Sequence, residues 1–588
     1  MRPRQSWVLT LLAVGALAWG WVEWQATHEL QQPGIGAARW LITAGAVGLS
    51  LLPPVRRAIN RLLDRIRTPS PRSAERAAVV IALLSAGYFL CTALLQDRDL
   101  FPKTHDEGSY AIQMQMLARG RLWMPQHPLA DFFDSFYLIV KPVYASQYFP
   151  GTALMYVPGV WLGWPTWVLP LLASGVIVAL VCWMVTEIVD GAAGALAALL
   201  MVSLGWFRML SILLFSQVPM LLLGLLVIWA WLRWRRSRRP AWLLGVGVFA
   251  GWGAITRPQD ALCYAVPVGV AIGYDLLRQP ARRWAIAAAL VVAGAAPFLA
   301  LQARLDRGVT GSAFNTPFQL YAQRDFPQTG FGFPRYDPNV RPASPLPQKQ
   351  ALYDQWAVPY VKLHQPGAIA GAWVRRWLPM LFSAALPVRV LMIPAIVGLL
   401  GLTTAPRRVL AATLPLFVLT YVPHTFFLEH YAVVAAPAVL LCVVLGLRTL
   451  EETFPRYRSA VRAASAAAVV SLSLSSLHEL NRSIDDETFH SPMLRFVNEQ
   501  LPYLSEVQKP AVVLFRYAPG ENPFEEPVYN FTTAWPDDAK IIRAHDLGNR
   551  NREILQYYAR LQPERTFYRF DRKTSILTPL GPAKALAP

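Results

Sequence analysis

Charge is scarce in this sequence. Only 15% of the 588 residues are Asp, Glu, Lys or Arg, whereas soluble domains hold nearer a quarter. Apolar residues make up 54% of the chain, which includes 21 tryptophans. This balance excludes an ordinary soluble domain and predicts a mostly α, polytopic membrane protein.

The chain also has little cysteine and lacks the motifs of several enzyme classes. Its four cysteines all fall inside apolar runs, without disulfide or zinc-site spacing, and are therefore expected in the core: Cys91, Cys182, Cys263 and Cys442. Glycine-rich phosphate loops, nucleotide-binding motifs and nucleophile–base triads are absent from the sequence. These absences argue against a nucleotide-bound donor substrate.

Positive charge is the exception, with a formal net charge of +19. The arginines do not gather on one face, as a nucleic-acid partner would require. They collect in short segments between apolar runs, which is the distribution of cytoplasmic loops in membrane proteins. We therefore expect no nucleic-acid partner, a cytoplasmic N-terminus and a periplasmic C-terminus.

The apolar runs divide the chain into three parts, with about thirteen transmembrane helices in all. Residues 1–76 hold two N-terminal helices and a basic cytoplasmic loop, and the first helix is read as a retained anchor or a signal peptide. Residues 77–480 form the core, with long external loops at 96–151 and 303–371. The polar residues 481–588 have strand-like and helix-like runs, which predict a small external α/β domain.

The densest polar stretch of the core lies in the first external loop. Adjacent carboxylates, Asp106 and Glu107, follow directly after an apolar run. Polar groups at the mouth of a membrane protein are functional by default. A structural reading is also open, because Thr104 and Glu107 fit a helix capping box and Gly120 a helix stop.

These residues resemble a known superfamily. The resemblance rests on Asp106-Glu107-Gly108-Ser109-Tyr110, Lys141-Pro142, Tyr148-Phe149-Pro150-Gly151, Thr256-Arg257-Pro258 and His430-Tyr431. Together they are similar to the GT-C glycosyltransferases, in the branch of protein O-mannosyltransferases and aminoarabinose transferases (family 39/83-like). The chain departs from that pattern by its two extra N-terminal helices. It also lacks an acidic residue between Asp190 and Asp260, where Gln217 lies at the expected position.

The resemblance implies an activity and a location. Such enzymes move a sugar from a polyprenyl phosphate to an acceptor hydroxyl, with inversion, at the periplasmic face of a bacterial inner membrane. The acceptor would be a lipid, a glycan or a protein. Two other classes stay open, namely a transporter or flippase of lipid-linked sugars and a non-catalytic protein of envelope assembly.

The resemblance also implies roles for single residues. Asp106 would be the catalytic base, and Glu107 its neighbour that raises its pKa. Lys141 and Arg257 would bind the leaving phosphate, with Arg335 as a weaker candidate. For these cations, interfacial snorkelling is the structural alternative.

Further candidates lie among aromatic and histidine residues. His430 would contact the phosphate or the sugar, and Tyr144 and Tyr148 would stack on a sugar face or anchor the membrane interface. No cofactor is assigned. A divalent metal ion stays open, and its candidate ligands are Glu107, His424 and Glu429.

Overall fold

We describe a computed structural model that covers residues 3–32, 34, 36–475, 507–518 and 520–586. The described residues are mostly helical, as the composition predicts. The α-helices are α1 Pro3–His28, α2 Ala37–Leu51, α3 Pro53–Arg67, α4 Pro71–Leu95, α5 His105–Ala118, α6 Gly151–Trp161, α7 Val168–Ile188, α8 Gly191–Val202, α9 Gly205–Leu210, α10 Gln217–Ser237, α11 Ala241–Ala254, α12 Pro258–Leu276, α13 Ala281–Thr310, α14 Pro317–Asp325, α15 Pro347–Leu352, α16 Val358–Leu363, α17 Ile369–Ala372, α18 Leu378–Ala385, α19 Met392–Val397, α20 Ala405–Ala411, α21 Thr413–Tyr421, α22 Ala436–Thr453, α23 Arg458–Ser475, α24 Asn551–Leu561 and α25 Ala583–Leu586.

Shorter turns and strands complete the described secondary structure. The strands are β1 Met124–Pro125, β2 Leu138–Ile139, β3 Val143–Ser146, β4 Ala511–Arg516, β5 Ile541–His545, β6 Thr566–Asp571 and β7 Ile576–Pro582. Two π-helical turns lie at Tyr353–Ala357 and Trp373–Trp377. The 3-10 turns are Ala130–Phe133, Arg389–Leu391, Gly398–Gly401, Glu429–Ala435, Pro455–Tyr457, Pro536–Asp538 and Gly548–Arg550.

The chain is a multi-pass membrane protein. Among the described residues, six helices are long and apolar enough to cross a membrane, or up to eight if each of two bent helix pairs is one span. The expected count of about thirteen is not confirmed. Several apolar runs form helices that are too short to be counted as membrane spans, such as α8 and α11. The apolar run after residue 389 is divided by 3-10 turns on both sides of α19.

The N-terminal region also differs from the expectation. The basic segment that the sequence predicts as a loop contains helix α3, which turns by 91° from α2. Its packed positions recur every three to four residues (Val55, Ile59, Leu63 and Ile66), while arginines occupy the other side. This spacing matches one face of an α-helix and explains why the segment folds.

The core of the bundle is apolar and tightly packed. Helices α19 and α22 approach so closely that a Cβ at Gly446 would lie 1.7 Å from the carbonyl oxygen of Pro394. Only glycine leaves room for this backbone contact, as at other helix crossings in membranes.

Loops 96–151 and 303–371 are folded rather than irregular. Loop 96–151 holds α5 and a small antiparallel sheet of order β1-β3-β2. Loop 303–371 holds α14, α15 and α16, and its buried aromatics pack against the first loop around Phe136, Tyr321, Phe326 and Tyr353. The two loops therefore share one core.

The C-terminal region forms the expected α/β domain. Its four strands lie in the order β5-β4-β6-β7, with β4 parallel to β5 and β6, and β7 antiparallel. Helix α24 packs on this sheet through Ile554 and Tyr558, and Phe132 of the first external loop joins the same core. Residues 481–506 of the expected domain, and the end of the last expected span at Leu477, lie outside the described residues.

Candidate active site

Helix α5 begins with the capping box that the sequence predicts. The Thr104 side chain accepts from the Glu107 amide, while the Glu107 carboxylate accepts from the amides of Lys103 at 3.0 Å and Thr104 at 3.2 Å. Its other oxygen accepts from the Leu214 amide at 3.0 Å. Glu107 is buried, at 2% exposed, and ties the start of α5 to the segment before α10. Its contacts are those of a structural residue.

Asp106, one residue earlier, has a different environment. The residue as a whole is partly exposed, and Tyr148 donates a hydrogen bond to its Oδ1. The Tyr148 ring stacks on Tyr110, with centroids 4.4 Å apart. Burial raises the pKa of Asp106, while the Tyr148 hydrogen bond and the charge of Arg257 act in the opposite direction. A carboxylate in this setting can exchange a proton nearer neutral pH than a solvated one.

Arg257 lies near this carboxylate, at the N-cap of α12. Its guanidinium donates to Ser216 Oγ at 2.9 Å and to the Tyr421 hydroxyl at 2.7 Å, and its Nε donates to Asp260. The guanidinium carbon lies 4.6 Å from the centroid of the Tyr431 ring. The predicted pair Asp106 and Arg257 is therefore brought into one polar site.

Asp260 was not among the predicted site residues. It is fully buried, and its Oδ1 has no hydrogen-bond partner in the described part of the chain. The signal was available in the sequence, since positions i and i+3 meet at the first turn of a helix. Asp260 positions Arg257 and balances its charge.

His430 also lines the site. Its ring lies 5.5 Å from those of Trp206 and Phe215 and 4.8 Å from that of Tyr431. Within the described ranges, the structure gives its imidazole no hydrogen bond to the protein. A partly exposed imidazole in this position can contact a ligand held by Arg257.

Lys141 is not brought to this site. It lies in the turn between β2 and β3, at the other end of β3 from Ser146, which contacts α5. Its ammonium is half-exposed and lies 2.5 Å from Asp131, which also pairs with Arg550 at 3.1 Å. This is a surface ion cluster between the loop and the C-terminal domain.

Two other candidates also lie apart from Asp106. Tyr144 is buried, at 2% exposed, and its ring packs edge-on to Trp535 at 6.2 Å, in the contact with the C-terminal domain. Arg335 is exposed in loop 303–371, and the described residues give it no ion pair.

The three candidate metal ligands do not come together. Glu107 is engaged by backbone amides, His424 Nδ1 lies 2.8 Å from the Phe426 carbonyl, and Glu429 accepts from Gln32 at 3.0 Å. Burial lowers the pKa of His424 to about 4. Across the described residues, no group of three or more His, Cys, Asp or Glu side chains is placed to hold a metal ion.

The C-terminal domain reaches the site, which the sequence did not indicate. The Tyr529 hydroxyl lies 3.0 Å from His105 Nδ1 and donates to the Phe136 carbonyl at 2.9 Å. Its ring lies against Gly108, where a Cβ would be 2.9 Å from the ring. Tyr529 thus packs on the turn that carries Asp106, from 424 residues further along the chain.

A second buried contact joins both loops to this domain. The Lys349 ammonium lies 2.6 Å from Asp134 and 2.9 Å from Asp325. His545 Nε2 lies 2.6 Å from the Asp134 carbonyl, and Gln348 donates to Glu526 at 3.2 Å. We call this group of residues the junction.

Part of the chain matches a known family. Residues 151–302 match the family model described as dolichyl-phosphate-mannose-protein mannosyltransferase. This range is about a quarter of the chain; it includes Arg257 and Asp260 but not Asp106. The resemblance to the protein O-mannosyltransferase branch is confirmed over this range. Among curated proteins, no relative matches the chain.

Two solved proteins align with most of the chain at low sequence identity. The apo crystal structure of ArnT from Cupriavidus metallidurans aligns with a TM-score of 0.46 at 12% identity, over 85% of this chain and 94% of that one. The structure of the same protein bound to undecaprenyl phosphate aligns with a TM-score of 0.44 at 13% identity, over 86% of this chain and 94% of that one. The Archaeoglobus fulgidus oligosaccharyltransferase, with Zn and sulfate, gives 0.45 at 13% identity, over 74% and 60%. At these values, residue roles do not carry over from those structures.

Proposed function

We propose that this protein is an inverting glycosyltransferase that moves a sugar from a polyprenyl phosphate to an acceptor hydroxyl. The observation that carries the proposal is the proximity of two partly exposed, oppositely charged residues, Asp106 and Arg257, in one polar site. The family match over residues 151–302 supports the same class of donor.

The chemistry follows from these two charges. The acceptor oxygen forms a bond to the anomeric carbon of the sugar, while the bond from that carbon to the phosphate oxygen breaks. The electron pair leaves with the polyprenyl phosphate, and the acceptor proton passes to Asp106. One displacement inverts the anomeric centre and needs no covalent intermediate.

Each neighbour of the carboxylate has a part in this step. Tyr148 donates a hydrogen bond to Oδ1 and holds the carboxylate in place to accept the proton of the acceptor. Arg257 stabilises the negative charge that develops on the leaving phosphate, and His430 lies where it can contact the same group. Asp260, Ser216 and Tyr421 hold the guanidinium in place.

The proposed location is the periplasmic face of a bacterial inner membrane. The arginine-rich segments, such as Arg233–Arg239, lie at the end of the bundle away from Asp106 and favour a cytoplasmic position for that end. Because a lipid-linked donor needs no nucleotide, an external site fits this class of substrate.

The proposal is tested by sugar transfer in isolated membranes. Membranes with equal amounts of wild type, Asp106→Asn or Asp131→Asn receive a radiolabelled polyprenyl-phosphate-sugar pool, and the labelled acceptor is measured. We expect Asp106→Asn to lose about 100-fold or more of the transfer, which is the usual contribution of a general base.

The control makes the same chemical change in the same loop. Asp131 lies in the surface ion cluster, so Asp131→Asn should label like wild type. If Asp106→Asn also labels like wild type, Asp106 is not the base. A protein that assembles the envelope without catalysis would keep its cellular role in both variants.

A further inference from the structure

The end of the bundle opposite Asp106 contains a cleft that the proposed transfer does not use. Helix α4 runs from this end toward the α5 end and spans about 37 Å, given its length of 25 residues. The cleft has a cavity volume of about 60 Å³. Its apolar wall is formed by side chains of α3, α8 and α22: Leu63, Leu196, Val444 and Leu447.

Three arginines line the same cleft, together with two carboxylates. Arg67 and Arg448 both pair with Asp190, which also accepts from the amide of Ala193 and so caps α8. Arg462 donates to Asp64 at 2.6 Å, yet its Nε is buried without a partner in the described part of the chain.

The remaining carboxylate is already neutralised. Glu451 pairs with Arg458 at 2.9 Å. Both carboxylates of the lining are therefore engaged by arginines, and the lining itself holds three arginines and two carboxylates beside an aliphatic wall. Arg448 also pairs with Glu452 at 3.2 Å.

Helix α3 carries further arginines and an exposed apolar side chain on the surface next to the cleft. Its exposed side carries Arg57, Arg61 and Arg65 next to the exposed Leu62. A basic amphipathic helix at a right angle to a span is the type that lies at a membrane surface and attracts anionic lipid.

We propose that this cleft binds the head group of an anionic phospholipid. The phosphate would be held by the guanidinium groups of Arg67, Arg448 and Arg462, with an acyl chain along the aliphatic wall. Basic pockets between transmembrane helices recognise phospholipid head groups by this combination of charge and apolar surface. The site is independent of the proposed transfer reaction.

Lipid selectivity of the purified full-length protein tests the proposal. The protein is taken from mixed micelles with equal amounts of phosphatidylglycerol and phosphatidylcholine, and bound lipid is counted by native mass spectrometry. Wild type should retain phosphatidylglycerol in preference to phosphatidylcholine. Equal retention of the two lipids by wild type would overturn the proposal without any variant.

The variants separate the cleft from general surface charge. Each arginine near an anionic lipid contributes about fivefold to binding, so Arg67→Gln with Arg462→Gln should lose about 25-fold of the selectivity. The double variant Arg278→Gln with Arg282→Gln removes the same amount of charge from exposed positions at the same end of the bundle as the cleft. It should leave the lipid selectivity unchanged. If both double variants lose selectivity equally, the cleft is not the site.

A third variant keeps every charge. Leu196→Trp narrows the cleft and should also reduce retained phosphatidylglycerol. Unchanged retention in this variant, or displacement of the lipid by excess inorganic phosphate, would contradict a lipid site with an acyl chain on the aliphatic wall.

Discussion

Two groups of charged side chains outside the spans differ in how far their charges are buried and paired. At the junction, the Lys349 ammonium is 3% exposed and two carboxylates, Asp134 and Asp325, share it. At the candidate site, Asp106 stays partly exposed, and its direct partner is the uncharged Tyr148. Buried and paired charges fix the position of the loops, whereas the open carboxylate remains available to a substrate proton.

The largest effect is expected from breaking the junction. Lys349→Met leaves two buried carboxylates without their cation, and loss of one partner of a buried ion pair costs about 3–5 kcal/mol. The melting temperature of the purified protein in detergent should fall by several degrees. As a control, Asp131→Asn breaks an exposed ion pair instead of a buried one and should change the melting temperature little.

A compensated variant sharpens this test. Replacing Lys349 by Met together with Asp134→Asn and Asp325→Asn removes all three charges, and most of the lost stability should return. If the triple variant is as unstable as Lys349→Met alone, shape rather than charge holds the junction together.

A smaller effect is expected at Glu107. Glu107→Gln weakens the hydrogen bonds from the Lys103, Thr104 and Leu214 amides, at a cost of about 1–3 kcal/mol in stability. Asp106→Asn should leave the melting temperature near that of wild type while it removes transfer. If Glu107→Gln melts like wild type but loses transfer, the two neighbours share the chemistry.

The pH profile of transfer tests whether Tyr148 acts on the pKa of Asp106 or has only a structural role. Because the base must be ionised, activity falls as the pH drops through the pKa of Asp106, which burial raises above the ordinary value of 3.8. Tyr148→Phe removes a hydrogen bond that favours the ionised form, so the acid limb should move to higher pH. The Phe ring retains the stacking on Tyr110. An unmoved limb would mean that Asp106 is not the group that titrates.

The smallest effect is expected at Lys141. Its exposed pair with Asp131 contributes about 0–1 kcal/mol to stability, and Lys141→Ala should change transfer by no more than about fivefold. A loss of about 100-fold or more, as expected for Asp106→Asn, would restore the phosphate-binding role that the sequence predicts.

The sequence predicted features that depend on neighbouring residues. The capping box at Thr104 and Glu107 and the strand-like and helix-like runs within residues 481–588 follow from local spacing, and the structure contains them as the start of α5, strand β4 and helix α24. The pair Asp106 and Arg257 was predicted from a family resemblance rather than from geometry.

Contacts between distant segments could not be predicted. Lys349 meets Asp134 across 215 residues, and no periodicity relates their positions. Lys141 illustrates the converse. Its position in an external loop next to proline suggested a phosphate ligand, but the turn between β2 and β3 directs it to Asp131. The number of spans is not confirmed, because an apolar run does not specify where a helix bends.

The contact between Tyr529 and His105 joins a segment that is synthesised early to one that is synthesised late. The turn that carries Asp106 is made early, whereas Tyr529 follows 424 residues later. At the usual rate of about 5–20 residues per second, the ribosome adds that length in about 20–85 seconds. During this interval the first turn of α5 lacks its C-terminal partner, so each new molecule remains incomplete at its site until its last domain has left the ribosome.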